Sequence, residues 1–343
     1  MKLGFRYYGD KDKIPLQYIA EIPSVRTIVS ALYDKKPGEK WDEESLLRLK
    51  KKAEDAGLTF EVVESIPVSE EIKLGGPKRD EHVEAFLHNL ELCGKIGVKV
   101  VCYNFMPVFD WLRTDMDYQN ADGSVSLAYI AEHFKTVDPH NLHLPGWDES
   151  YSQEELENLL KAYEKVGHVT LFRNLVYLLE KAMPICDKYD IHLAIHPDDP
   201  PWDVFGLPRI ISCEDDIDRL LETVDNVHNG ITLCTGSLGA GRCNDIPRLA
   251  DKYSKMGRIH FVHLRNIRFL GNDGSFVESG HQKGDLDLAL VVKNLVKNGF
   301  DGYVRPDHGR GIFGELPSGG YGLYDRALGA SYIAGLFAMA ERK

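Results

Sequence analysis

The 343-residue sequence predicts an α/β fold, a (β/α)₈ TIM barrel with long βα-loop insertions on its catalytic face. Three observations carry this reading. Eight short β-branched or aromatic runs alternate with helical periodicities, and no glycine-rich dinucleotide fingerprint follows the first run. Alternation alone also suits an open doubly wound sheet, but eight strands without that fingerprint select the closed barrel.

The strand-like runs are Leu3–Tyr8, Val25–Leu32, Thr59–Glu64, Val98–Phe105, Ile191–His196, Gly230–Cys234, Ile259–Leu264 and Gly302–Arg305. Between them Val83, Phe86, Leu87 and Leu90, and again Leu288, Val291, Val292 and Leu295, recur at i, i+3, i+4 and i+7, one face of a helix. Gly57 and Gly97 sit at helix-to-strand junctions, where a left-handed residue is wanted. Two connections, about 106–167 and 267–284, exceed simple βα loops and read as functional lids or oligomer contacts. The first contains Trp111, Asp115, Asp117, His140, His143 and Trp147. No linker is evident, so residues 1–343 read as a single domain with two insertions.

A formal net charge of −12 argues against nucleic-acid binding, which needs a basic footprint. No apolar run approaches the ~20 residues of a membrane helix. The opening Met1-Lys2-Leu3-Gly4-Phe5-Arg6 reads as a strand rather than a signal peptide, so a cytoplasmic location is expected. Six scattered cysteines form no CxxC pair and suggest buried thiols in a reducing compartment, with Cys234 set apart.

The informative feature is what closes the last four strands. His196, Cys234, His263 and Asp307 each stand at a C-terminal strand end, where barrel enzymes assemble their sites. Imidazole, thiolate and carboxylate are all ligands for a divalent transition metal. Strand parity selects His263 over His260, which is expected to face the helices, and His196 over His192, which falls in a deeper layer. His308, next to Asp307, is a candidate general base or acid, provided the backbone turns there; Gly309 and Gly311 would ease such a turn through positive φ. Arg265 and Arg305 share faces with His263 and Asp307, and with Arg6 they are candidates for pairing with a substrate carboxylate; buried ion pairs between strands are the alternative. Tyr321 and Tyr324, ahead of the last helix, are candidate proton donors. Thr235–Gly241 lacks the Lys-Ser/Thr of a phosphate loop and is expected to be a tight turn.

The segments His196-Pro197-Asp198-Asp199-Pro200-Pro201, Leu233-Cys234-Thr235-Gly236-Ser237, Phe261-Val262-His263-Leu264-Arg265-Asn266 and Arg305-Pro306-Asp307-His308-Gly309 resemble the signature segments of mannonate dehydratases, as does Gly4-Phe5-Arg6-Tyr7-Tyr8-Gly9. The resemblance implies a TIM barrel that converts D-mannonate to 2-keto-3-deoxy-D-gluconate and water in hexuronate catabolism, with Mn²⁺ or Fe²⁺ and no organic cofactor. It implies His196, Cys234, His263 and Asp307 as metal ligands and His308 and Tyr321 as proton-transfer residues, beside Asp307. Arg6, Arg265, Arg305, Asn266 and Tyr324 are the expected substrate contacts, and a homodimer or tetramer is the expected assembly.

Three rival readings stand beside this one. A metal-dependent sugar isomerase or epimerase on the same barrel would favour two or more carboxylate ligands. A barrel endonuclease conflicts with the negative charge. A non-catalytic protein with a closed structural zinc site would use the same four residues.

Overall fold

The computed structural model describes residues 1–137, 152–315 and 318–342. Twelve strands are described: β1 (Lys2–Arg6), β2 (Val25–Ser30), β3 (Thr59–Glu64), β4 (Val100–Tyr103), β5 (Asp115–Gln119), β6 (Val125–Tyr129), β7 (His192–Ile195), β8 (Asn229–Cys234), β9 (Ile259–Leu264), β10 (Asn266–Phe269), β11 (Phe276–Ser279) and β12 (Tyr303–Pro306). Eight of them close a barrel in the order β1-β2-β3-β4-β7-β8-β9-β12, every neighbour parallel. These are the eight expected strands.

Parallel strands covered on both faces must be apolar on both, and β8 and β9 are buried along their whole length. The helix Glu43–Asp55 is started by Asp42, whose side chain accepts from the Ser45 amide. Gly57 and Gly97 have φ of 78° and 91°, the left-handed geometry required at these junctions. Among the described residues, no helix is long and apolar enough to cross a membrane.

Two cores result. Leucine, isoleucine and phenylalanine side chains fill the space between strands and helices, and a smaller cluster fills the barrel: Val29, Val62, Val100, Cys102, Ala194, Phe261 and Tyr303. The strand period of two then dictates what comes next. Two residues beyond Val62, Ala194, Phe261 and Tyr303 stand Glu64, His196, His263 and Arg305. The inward face that is apolar in the middle becomes ionisable at the C-terminal mouth.

Among the described residues, both insertions carry strands. β5 and β6 come from the first and β10 and β11 from the second, and they join in one antiparallel sheet of order β10-β11-β6-β5. Tyr129, Phe276, Leu112, Ile267, Val204 and Ala240 supply a third apolar cluster beneath it. The Val125 and Gly311 amides donate to each other's carbonyls at 3.0 and 2.7 Å, tying this sheet to the segment after β12. Among the described residues the first insertion also forms the helix Gln153–Tyr163; His140, His143 and Trp147 lie outside them.

One parity expectation fails. Between β8 and β9 the register runs Ile231↔Ile259 and then Thr232↔Phe261, so β9 carries one extra residue, His260. Alternation counted back from His263 breaks at that bulge, and the His260 ring packs 4.3 Å from that of His192 rather than facing the helices. His192 itself lies at the barrel floor, the deeper layer expected for it.

Candidate metal centre and active site

His196 follows β7 directly, Cys234 ends β8, His263 is the penultimate residue of β9, and Asp307 follows β12. Their donor atoms all lie within 4.8 Å of one another. Cys234 Sγ is 3.7 Å from Asp307 Oδ2, and His263 Nδ1 is 3.9 Å from the same oxygen. Bonds of roughly 2.0–2.3 Å to one central ion set tetrahedral ligand edges of about 3.3–3.8 Å, so the spacing suits a shared cation. His196 Nδ1 lies 2.7 Å from the Pro197 carbonyl; a proton there leaves Nε2 as the free lone pair.

The electrostatics agree. Burial alone would raise the Cys234 thiol, but Arg265 and His196 beside it hold it well below its ordinary value, favouring the thiolate. Burial would lower His196, yet Cys234, Asp307 and Glu64 push it up to about 9. A buried thiolate and carboxylate, balanced here by protonated imidazole and guanidinium, are the charges a divalent cation would neutralise. The residues present therefore fit a metal ion of the borderline class that accepts N, O and S donors.

A second donor group, Glu64, Cys102 and His263, overlaps this one. It is the weaker site. Burial and the Glu64 charge push the Cys102 thiol well up, and Glu64 is engaged by Arg305 at 2.8 and 3.0 Å and by Arg6 at 2.7 Å. Glu64 Oε2 also lies 3.4 Å from His263 Nε2, which accepts from Arg305 Nε at 3.1 Å, while Nδ1 is the ring nitrogen 3.9 Å from Asp307 Oδ2.

Above the cluster opens a cavity of about 380 Å³, lined in part by Arg6, His196, Arg305, Asp307, His308 and Tyr321. It lies within the range of small-molecule sites, about 300–1,000 Å³. Tyr321 donates to Asp307 Oδ1 at 3.2 Å, and burial holds its phenol well above the ordinary value, so it stays protonated. The backbone does turn after Asp307, and both Asp307 and His308 line the cavity. The turn does not use positive φ at Gly309 or Gly311. Gly309 is small for another reason: a Cβ there would meet Arg326 Cγ at 3.0 Å.

Of the five expected substrate contacts, Arg6 and Arg305 border the cavity. Arg6 Nε has no hydrogen-bond partner, and Nη1 meets Glu64 off the line of a hydrogen bond, so this guanidinium keeps donors to offer. The other three do not line the cavity. Arg265 is fully buried among Asp199 (2.5 Å), Glu278, Asp307 (3.0 Å) and Ser237 (2.9 Å), the interstrand ion pair that was its alternative. Asn266 spends its amide on the His281 and Leu286 carbonyls and the Ile267 and Leu286 amides, bracing the second insertion. Tyr324 is 47% exposed and packs on Phe313, away from the cavity. Thr235–Ala240 is a short buried helix rather than a tight turn, and a Cβ on Gly236 would fall 2.6 Å from Arg265 Nε.

Four functional residues escaped the sequence reading. Glu64 ends its strand just as Cys234 does, a signal that was available. Asp199 lies in the quoted His196–Pro201 segment without having been given a role. Arg113 and Glu278 come from the insertions: Arg113 pairs with Asp199 and Glu278 at 2.7 Å each, and Glu278 Oε1 stands 3.3 Å from His308 Nδ1. Nothing in the periodicity marks either.

The fold and site define a barrel protein with a cluster of N, S and O donors spaced to suit a metal ion, beneath a polar cavity of small-molecule size. Residues 1–343 match the family model described as D-mannonate dehydratase (UxuA). The mannonate dehydratase of Thermotoga maritima is 48% identical over 356 residues, covering 100% of this chain and 98% of that protein. The mannonate dehydratase structure from Streptococcus suis serotype 2 superposes with a TM-score of 0.93 at 42% identity, covering 100% of this chain and 95% of that one. A xylose isomerase-like TIM barrel protein from Mycobacterium smegmatis, 13% identical with a TM-score of 0.55 over 95% of this chain and 88% of its own, shares the fold alone. The chain belongs to the D-mannonate dehydratase family.

Proposed function

We propose that this chain is a hydro-lyase that converts D-mannonate to 2-keto-3-deoxy-D-gluconate and water, with His196, Cys234, His263 and Asp307 holding Mn²⁺ or Fe²⁺. The observation that carries it is the convergence of those four donors within 4.8 Å beside a cavity that also presents His308 and Tyr321. One carboxylate with a thiolate and two imidazoles departs from the carboxylate-rich sets of sugar isomerases.

When bound, the divalent ion supplies Lewis-acid stabilisation of charge developing next to the substrate carboxylate. The chain's own groups do the rest. Arg6, with spare donors, orients the carboxylate end, and Arg305, paired with Glu64 and Asp307, adds its positive charge beside it. His308, steadied through Nδ1 by Glu278, removes the C2 proton with its other nitrogen. Tyr321, a protonated phenol, gives its proton to the C3 hydroxyl as the C3–O bond breaks. The electron pair from C2–H becomes the C2–C3 double bond, one water leaves, and the enol ketonises. The reading extends to a cytoplasmic homodimer or tetramer, which sedimentation tests.

The deciding experiment strips the metal, adds back Mn²⁺, Fe²⁺ or Zn²⁺ separately, and follows D-mannonate by product analysis. A 2-keto-3-deoxy acid that appears only with added metal supports the reading. Full turnover by metal-free protein, or an isomer with the same formula as the substrate, refutes it.

A further inference from the structure

The opposite end of the barrel carries a second group of ligand-type side chains that the chemistry above does not use. Asp190 and His192 flank the start of β7, His228 precedes β8, and His260 is the extra residue of the β9 bulge. His192 lies four residues before His196, roughly 13 Å along an extended strand at ~3.3 Å per residue, so this group is separate from the mouth of the barrel.

Donor atoms of Asp190, His192 and His228 all lie within 4.8 Å of one another. His228 is oriented from behind. Its Nδ1 lies 3.0 Å from Asp187 Oδ1, and that carboxylate is itself fixed by Asn226 Nδ2 at 2.9 Å. A proton on Nδ1 leaves the Nε2 lone pair facing Asp190 Oδ1 at 3.4 Å. Carboxylate–imidazole–metal relays use this arrangement, and 3.4 Å is about the edge of a tetrahedron with ~2.0–2.1 Å metal bonds.

A second feature points the same way. His192 Nδ1 and His260 Nε2 are both buried without a hydrogen-bond partner, and the His260 side chain belongs to a residue only 8% exposed. The rings of His192 and His228 are 4.8 Å apart and those of His192 and His260 4.3 Å, three imidazoles in a row at the floor. Packing them so closely disfavours added positive charge on His192 and His260. Burial first, and then the neighbouring imidazole, holds both His192 and His260 below the ordinary value, which keeps them neutral and able to ligate. The cations nearby leave room. Arg258 is committed to the Asn226 and Asn229 carbonyls and to Asp225, while the half-exposed Lys99 touches only the other oxygen of Asp190, at 3.5 Å.

We infer that Asp190, His192 and His228 form an accessory site for a divalent transition-metal ion, Zn²⁺ being the best fit, at the N-terminal mouth of the barrel. Two imidazoles and a carboxylate with one open position suit Zn²⁺. The ion would clamp the start of β7 to the start of β8, on the barrel face associated with stability rather than catalysis.

The test is a Zn²⁺ titration of the full-length, tag-free, metal-stripped chain, with bound metal counted after dialysis. Wild type takes up two equivalents, and His228→Ala takes up one and loses the part of the Zn²⁺-dependent rise in melting temperature that accompanies the second equivalent, while keeping its Mn²⁺-supported turnover. Asp190→Asn, a change at an exposed position, gives the same result at about tenfold or more weaker binding and serves if His228→Ala misfolds. Co²⁺ separates the two sites by spectrum: thiolate charge transfer reports the Cys234 centre, and the added ligand-field absorption of an N/O site vanishes in both floor variants. One equivalent in wild type, or two in both wild type and His228→Ala, overturns the inference.

Discussion

Replacing His308 with asparagine separates proton transfer from metal binding, because His308 borders the cavity but contributes no donor to the four-residue cluster. The substitution keeps a polar side chain where Glu278 Oε1 stands 3.3 Å away, so no carboxylate is left facing an apolar gap. What it removes is an imidazole edge-on to Trp111 at 5.5 Å and to Tyr321 at 5.1 Å. At about 0.5–1.5 kcal/mol per aromatic contact, the stability cost is roughly 1–3 kcal/mol. That lowers the melting temperature by a few degrees at about 2–4 °C per kcal/mol and leaves the protein folded at 25 °C. Loss of a general base lowers kcat by about 10²–10⁴, or roughly 2.7–5.4 kcal/mol of activation free energy. The assay is keto-acid release from D-mannonate, with metal content and a thermal melt measured on the same preparation. Exchange of the C2 hydrogen with solvent should fall with kcat. A folded, metal-replete His308→Asn protein with kcat within about threefold of wild type would remove His308 from the mechanism.

Three further outcomes follow from the same geometry. Cys234→Ser lowers metal occupancy and activity, whereas Cys93→Ser, at a thiol buried in the outer core, leaves both nearly intact; equal effects in a metal analysis would mean the donor set is wrong. Arg6→Ala raises KM for D-mannonate about tenfold or more with a smaller change in kcat, while Tyr324→Phe and its exposed ring change neither; steady-state kinetics that show the reverse would move the carboxylate contact elsewhere. Glu278 is held down at about 2 from an ordinary 4.5, because Arg265 and Arg113 outweigh the burial that would raise it. A depressed carboxylate contributes stability above its unfolded value that is lost as pH falls toward its folded one. Wild type should therefore lose on the order of 3 kcal/mol from this group between pH 4.5 and 2, and Glu278→Gln, already weaker at neutral pH, should show a shallower decline in urea midpoints over that window.

The barrel was legible because its signals are local. Eight apolar runs with turn residues between them survive being read without a partner, and each reappears as a strand of the closed sheet. The four-residue cluster was legible for a related reason: in a parallel barrel every strand delivers its last inward residue to the same mouth, so equivalent positions converge whatever lies between them. That rule holds while the strand period holds. His260 shows its limit, since one inserted residue at the bottom of β9 reverses the parity on which its assignment depended.

The shell around the cluster obeys no such rule. Arg113 and Glu278 reach the site on segments 165 residues apart, and they meet only because β6 and β11 pair in a sheet that neither insertion forms alone. Their sequence gives each strand four or five residues of mixed polarity, too short for a period to emerge. Yet Glu278 is what meets His308, and Glu278 with Asp199 fixes the Arg265 guanidinium that, with His196, keeps the Cys234 thiol low. Arginines read as substrate contacts divide on the same ground. Arg305 lies on the inward face of β12 next to the cavity, whereas Arg265 lies one residue past β9, where the chain has already turned into the added sheet and its guanidinium is met by the acids of that layer. The strand ends determine which groups can meet a metal and a substrate; the insertions supply the side chains that orient Arg265 and His308, and that second layer becomes visible only when segments far apart in the chain are brought together.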